Sequence, residues 1–209
     1  MFNNIKDYKE FLEYLKDKKV AFVGMGVANT PCAEWLASYG IEVYACDKRD
    51  KAYIGEDICA RLEELGVHFS LGENYLDVLP DMDIVFRSNG ILPFQNNWIG
   101  ECIERGQTVT SEMEVFFSFC PAKIIAVTGS NGKTTTTTII SEMLKAEGKT
   151  VFLGGNIGKA LMCELDKITE DDYAVVENQI TKLYLKDMYN NNKRCEICII
   201  SIKKIECRS

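Results

Sequence analysis

Apolar residues open the chain at helical spacing. Ile5, Tyr8, Phe11, Leu12 and Leu15 share one face, which predicts an amphipathic helix over Ile5–Asp17. The period then changes. Lys19–Val23 (KVAFV) is a short apolar run closed by Gly24, a strand signal. Thr30-Pro31 opens a helix running to Tyr39, with proline suited to a first turn where its missing N–H costs nothing. Ile41–Cys46 (IEVYAC) predicts a second strand, Ile54–Leu65 a helix ended by Gly66, and Asp83–Phe86 (DIVF) a third strand. Gln95–Arg105 and Glu112–Phe119 predict two more helices. Strands alternating with helices across short connections predict a parallel sheet covered by helices, with ligands at the carboxyl ends of its strands.

Pro121 interrupts this pattern, and a second alternating unit follows. Lys123–Thr128 (KIIAVT) predicts a strand, Thr134–Glu147 a helix ended by Gly148, and Thr150–Leu153 and Tyr173–Val176 two further strands. The expected division is therefore 1–120 and 121–209. No internal repeat marks a solenoid. From Asn178 onward Lys, Ile and Asn crowd a tail that includes the triplet Asn190–Asn192, and no element is assigned there.

Composition narrows the classes. A content of 46% hydrophobic and 26% charged residues over 209 positions is that of a globular chain. A formal charge of -7 disfavours general affinity for nucleic acid or anionic membrane, so any phosphate binding has to be local. Charges at Lys6, Asp7, Lys9 and Glu10 sit where a signal peptide needs an apolar core, and no run is long enough for a membrane span. A cytoplasmic protein is expected. The nine cysteines are scattered through strand and helix patterns and are expected to be reduced. Cys195-x-x-Cys198 has no second Cys or His pair to complete a zinc site.

The clearest chemistry lies at Gly129-Ser130-Asn131-Gly132-Lys133-Thr134, between an apolar strand and a helix beginning with five threonines. Such a turn aims backbone N–H groups and a positive helix end at a phosphate. Lys133 is placed to neutralise β/γ-phosphate charge, and the Thr134 hydroxyl to hold Mg²⁺, with Thr135 behind it. The spacing is two residues tighter than the common P-loop pattern. Glu177 follows an apolar strand and either completes that Mg²⁺ site or is a solvated strand-end carboxylate. Gly154-Gly155-Asn156-Ile157-Gly158 allows close backbone approach, to a ligand with Asn156 contributing or merely within a loop. Gly24-Met25-Gly26-Val27-Ala28-Asn29 follows the first strand, and Asp47 ends the second. In a dinucleotide fold these would cradle a pyrophosphate and take a ribose hydroxyl; Asn29 stands where the third glycine is usual, and a tight turn without ligand is the other reading. Arg49 either meets a phosphate or is solvated.

Assembled, these residues resemble the Mur ligases of bacterial peptidoglycan synthesis. The likeness rests on Gly24–Asn29, on Ser88-Asn89-Gly90-Ile91 with Asn89 at a usual proline, on Ser111–Phe116 (SEMEVF), on Gly129–Thr136 (GSNGKTTT) and on Gly154–Gly158 (GGNIG), spanning Val20 to Glu177. It implies a Rossmann-like UDP-substrate domain followed by an incomplete P-loop ATP-binding domain. It also implies an enzyme of the branch that joins D-glutamate to UDP-N-acetylmuramoyl-L-alanine through an acyl phosphate, using ATP and Mg²⁺, as a monomer. By the resemblance Gly129, Ser130, Asn131, Gly132, Lys133, Thr134 and Thr135 bind ATP, with Lys133 and Glu177 catalytic and Thr134 and Glu177 on the metal. Gly26, Val27, Ala28, Asp47, Arg49, Gly90 and Asn156 bind the UDP substrate. The stretch after Glu177 departs from the family, which leads to the expectation of a shortened and inactive form; a non-catalytic nucleotide- or UDP-sugar-binding module is the alternative.

Overall fold

The computed structural model describes residues 2, 4–88, 90–91, 96–155, 159–177 and 197–202. They fall into two units, Met1–Val115 and Phe116–Ser209, each built on its own parallel sheet.

In the first unit the apolar runs become β1 (Lys19–Val23), β2 (Glu42–Asp47), β3 (His68–Leu71), β4 (Ile84–Arg87) and β5 (Thr108–Thr110). All neighbouring pairs are parallel, in the order β3-β2-β1-β4-β5. Every residue of β1 after Lys19 is buried, as is all of β4, so both faces of the sheet's centre are covered, as parallel pairing requires. Phe22 and Phe86, opposite each other on these strands, stack at 4.5 Å between ring centroids. The covering helices include α1 (Tyr8–Leu15), α2 (Asn29–Ser38), α3 (Lys51–Ile54), α4 (Glu56–Glu64), α5 (Asn97–Glu104) and α6 (Glu112–Phe119), and the division between the units falls inside α6. The order runs outward one way from β1 and the other way from β4. Its switch point therefore lies between the carboxyl ends of those two strands, the place where open α/β sheets hold ligands.

Two departures from the sequence expectation have local causes. The single helix expected over Ile54–Leu65 is α3 and α4, broken at Gly55, whose φ of +112° no helix accommodates. The strands β3 and β5 carried no readable signal: β3 is a half-exposed edge and β5 is only Thr-Val-Thr.

The second unit contains β6 (Lys123–Gly129), α7 (Lys133–Ala146), β7 (Val151–Gly155), β8 (Tyr173–Glu177) and β9 (Ile197–Ile202), again wholly parallel, in the order β7-β8-β6-β9. Ile124, Ala126 and Val127 of β6 are fully buried. Part of the unassigned tail thus returns to the sheet: Ile197 pairs with Ile124. Among the described residues no helix is long and apolar enough to cross a membrane.

Candidate functional site

In the second unit β6 ends at Gly129 (φ +144°), and the chain turns through Ser130 and Asn131 to enter α7 from Gly132 (φ +76°). Both φ values strain any residue with a Cβ, so the turn needs glycine at 129 and 132. No side chain caps α7, which leaves its first-turn N–H groups and positive dipole end available to the loop. Ser130, Asn131, Gly132, Thr134 and Thr135 are exposed and Lys133 is half-buried. The Lys133 Nζ donates to the Gly129 carbonyl at 2.9 Å, which holds the ammonium against the loop. Within the threonine run, Thr137 and Thr138 donate back to the carbonyls of Lys133 and Thr134, at 2.7 and 2.8 Å, which satisfies their hydroxyls on the helix itself.

The Thr134 hydroxyl donates to Glu177 Oε2 at 2.8 Å, joining the start of α7 to the end of β8. Glu177 is 5% exposed, and among the described residues no ion pair reaches it. A buried carboxylate answered only by a neutral hydroxyl is costly, so the donor set fits a hard divalent cation, which takes oxygen ligands and supplies the missing countercharge. No cluster of three or more His, Cys, Asp or Glu occurs among the described residues. The fit rests on this oxygen pair. Gly154 and Gly155 lie in register with Val176 and Glu177. A Cβ on Gly154 would stand 2.7 Å from the Lys159 carbonyl oxygen, and one on Gly155 (φ +102°) would overlap the Glu177 carbonyl oxygen. These two glycines therefore serve close approach of β7 to its neighbours. Asn156 lies outside the described residues.

In the first unit Gly24 (φ +87°) closes β1 at the switch point, where a Cβ would meet Ser88 Oγ at 3.3 Å. Ser88 N donates to the Val23 carbonyl at 3.1 Å, seating the loop after β4 beside this turn. Gly26 and Gly90 each have open space around the position of a Cβ, Val27 is 86% exposed, and Ala28 precedes α2 without a capping side chain. Asn29 accounts for the absent third glycine: its buried amide donates to the carbonyls of Val23 and Gly24 at 3.2 and 3.0 Å and locks the turn to the strand end.

The Asp47 carboxylate is engaged by donors of the protein itself. Its Oδ2 accepts from Met25 N at 2.7 Å and Arg49 Nη2 at 2.7 Å, and its Oδ1 from Arg49 N at 2.9 Å and Arg49 Nε at 2.8 Å. Four donors fill the lone-pair positions of a carboxylate. Asp47 thereby fixes the glycine turn and grips Arg49, which is fork-paired rather than freely solvated. Burial pushes the Asp47 carboxyl up, but the bonds from the Arg49 side chain, the Arg49 backbone and Met25 outweigh it and hold the group below the usual carboxylate range.

The Mur ligase middle-domain model matches residues 127–201. A UDP-N-acetylmuramoylalanine–D-glutamate ligase of Clostridium tetani is 44% identical over 172 residues, which are 82% of this chain and 37% of that protein. One of Clostridium botulinum is 42% identical over 188 residues, 90% of this chain and 40% of that protein. The chain belongs to the Mur ligase family. It spans about two-fifths of the length of these curated relatives. A solved murein peptide ligase from Psychrobacter arcticus aligns over 86% of this Mur ligase chain and 52% of its own, at 17% identity and a TM-score of 0.46. The middle-domain match also carries the likeness past Glu177, where the motif reading had ended it, to residue 201.

Sequence reasoning missed two side chains in this Mur ligase chain that organise the first unit. Arg87 is 5% exposed at the end of β4; it donates to the Ile91 carbonyl at 3.2 Å and to Glu114 Oε1 of α6 at 3.1 Å, holding the Ser88–Ile91 loop to the SEMEVF segment. Its signal was available as a charge closing the apolar run DIVFR. Tyr53 lies with its ring 4.2 Å from the Arg49 guanidinium carbon; nothing in the linear pattern marks it.

The Asp47 network makes a stability prediction. Asp47→Asn is expected to cost about 1–3 kcal/mol at neutral pH, since it leaves buried donors poorly matched. Because the folded carboxyl titrates below the unfolded one, the contribution is complete above the unfolded value of about 3.9 and is lost as pH falls through the lower folded value. Denaturant unfolding of parent and variant from about pH 7 down to about pH 2 checks it: the difference should stay constant and then shrink at the acid end.

Proposed function

We propose that this chain supplies the UDP-precursor and ATP sites of an ATP-dependent ligase of peptidoglycan-precursor synthesis, one that joins D-glutamate to UDP-N-acetylmuramoyl-L-alanine. The observation that carries the reading is the Thr134–Glu177 contact beside Lys133 on the turn between β6 and α7. Residues 121–209 take ATP and residues 1–120 the UDP substrate, in a cytoplasmic monomer.

Transfer of a γ-phosphoryl group to a carboxylate depends chiefly on positioning and charge neutralisation. Gly129, Ser130, Asn131 and Gly132 shape a backbone cradle, and Lys133 exchanges the Gly129 carbonyl for β/γ-phosphate oxygens. Thr134 and Glu177 are the oxygen ligands for Mg²⁺, which when bound neutralises charge on the phosphoryl oxygens. Thr135 borders the same helix start. In the first unit the Gly26-Val27-Ala28 turn, exposed at Gly26 and Val27, meets the diphosphate, Arg49 adds charge, Asp47 acts through Arg49, and Gly90 lies on the adjoining loop. Asn156 is assigned to the sugar-peptide end of the substrate.

The test is a melting experiment on the whole chain. A ligand that binds only the folded state stabilises it by about 2.7 kcal/mol at a hundredfold excess over its Kd, so UDP and UDP-N-acetylmuramoyl-L-alanine should each raise the Tm. No shift at millimolar UDP contradicts the reading, and a larger shift with NAD points instead to an oxidoreductase-like domain. D-glutamate-dependent phosphate release from ATP distinguishes turnover from a module that only binds.

A further inference from the structure

The Arg49 guanidinium is held on two sides. Asp47 takes its Nε and Nη2 edge in a two-pronged fork, Nη2 also lies 3.4 Å from the Met25 carbonyl, and Tyr53 covers one face with its ring at 4.2 Å. Asp47 first and the Tyr53 hydroxyl after it both raise the Arg49 pKa, so the phenol as well as the ring bears on the guanidinium. We propose that Tyr53 is a positioning residue for the first nucleotide site, its ring and hydroxyl holding the Arg49 guanidinium in place to meet a nucleoside-diphosphate ligand. The inference rests on the UDP-site reading above and adds a residue to it.

Tyr53 is 68% exposed, an aromatic ring spent at the surface with little burial to justify it. Its backbone, by contrast, is fixed. Tyr53 N donates to Asp50 Oδ1 at 3.0 Å, which caps α3, and Gly55 ends that single turn. The turn is pinned on its other side, where the Lys51 ammonium pairs with Glu63 of α4 and lies 5.1 Å from the Phe69 ring centroid of β3. A rigid turn thus delivers the ring onto the guanidinium. The fork alone leaves the group a hinge about the Asp47 edge, and the ring removes that freedom before a ligand arrives, so less order has to be imposed on binding.

The test uses the whole chain, with Tyr53→Ala and Tyr53→Phe, in two readouts. Calorimetry with UDP should show Tyr53→Ala binding about two- to fivefold more weakly, the worth of an exposed cation–π contact, with Tm lower by no more than about a few degrees and Tyr53→Phe, which keeps the ring and loses the hydroxyl, between the two. Phenylglyoxal labelling of Arg49, followed by peptide mass spectrometry without ligand, should be fastest in Tyr53→Ala, with Tyr53→Phe between it and the parent. Parental affinity and labelling rate in Tyr53→Ala overturn the inference, as does a lower Tm with labelling unchanged, which makes the ring a stability contact only. A parent that binds no UDP removes the UDP-site reading, and the labelling rate then decides by itself whether Tyr53 orders Arg49.

Discussion

Lys133→Ala is expected to weaken Mg-ATP binding by about 10- to 100-fold, the range set by losing a hydrogen bond between charged groups worth about 1.5–3 kcal/mol. The effect is confined to binding. Among the described residues Lys133 donates only to the Gly129 carbonyl on an exposed loop, so stability should move by less than about 0.5 kcal/mol. Glycines 129 and 132 keep the backbone in place whatever the side chain, which separates the cradle's shape from its charge. Lys133→Arg is not expected to restore affinity, because a planar fork does not replace a compact ammonium point charge. Titration calorimetry on the three proteins checks this, and parental Mg-ATP affinity in Lys133→Ala would refute the assignment of the loop.

The second large effect is structural. Gly155→Ala is expected to cost about 2–4 kcal/mol, combining backbone strain at positive φ with overpacking. The new methyl would lie 2.9 Å from the Glu177 carbonyl carbon and overlap its oxygen. Neither neighbour can yield cheaply, because both are backbone of paired strands. Gly148→Ala is the control: φ there is +74° but nothing lies within 4 Å, so only the strain of about 1–2 kcal/mol applies. Since the clash displaces Glu177, Gly155→Ala should also weaken the dependence of ATP binding on Mg²⁺. Equal Tm for the two variants in calorimetric melts would show that β7 and β8 do not approach as described.

These two residues show how far the sequence could be read. The strands β1 and β6 and the turn from Gly129 to Thr134 were legible because a buried parallel strand is a continuous apolar run and a phosphate turn needs glycine at set positions. The pairing of Glu177 with Thr134 was legible as chemistry, although 43 positions separate them. Gly155 was read as serving ligand approach or a plain loop, and the demand from the neighbouring strand is one that no local pattern encodes. Asp47 was expected to be a site residue, and its contact with Met25 was not foreseen, because that contact is made across β-strand register rather than along the chain. The edge strand β3, only half-buried, lacked periodicity; β9 came from a segment whose composition suggested no element, and its pairing with β6 is a long-range fact.

The central claim is that two separate nucleotide sites lie on one chain, a UDP-precursor site in the first unit and an Mg-ATP site in the second. The direct measurement is a sequential calorimetric titration, in which the chain is first saturated with Mg-ATP and then titrated with UDP-N-acetylmuramoyl-L-alanine. The account predicts one precursor bound per chain with ATP still in place, and in Lys133→Ala an unchanged precursor affinity beside a weakened ATP affinity. Displacement of ATP by the precursor, or loss of precursor binding in Lys133→Ala, would mean a single shared site and would contradict it.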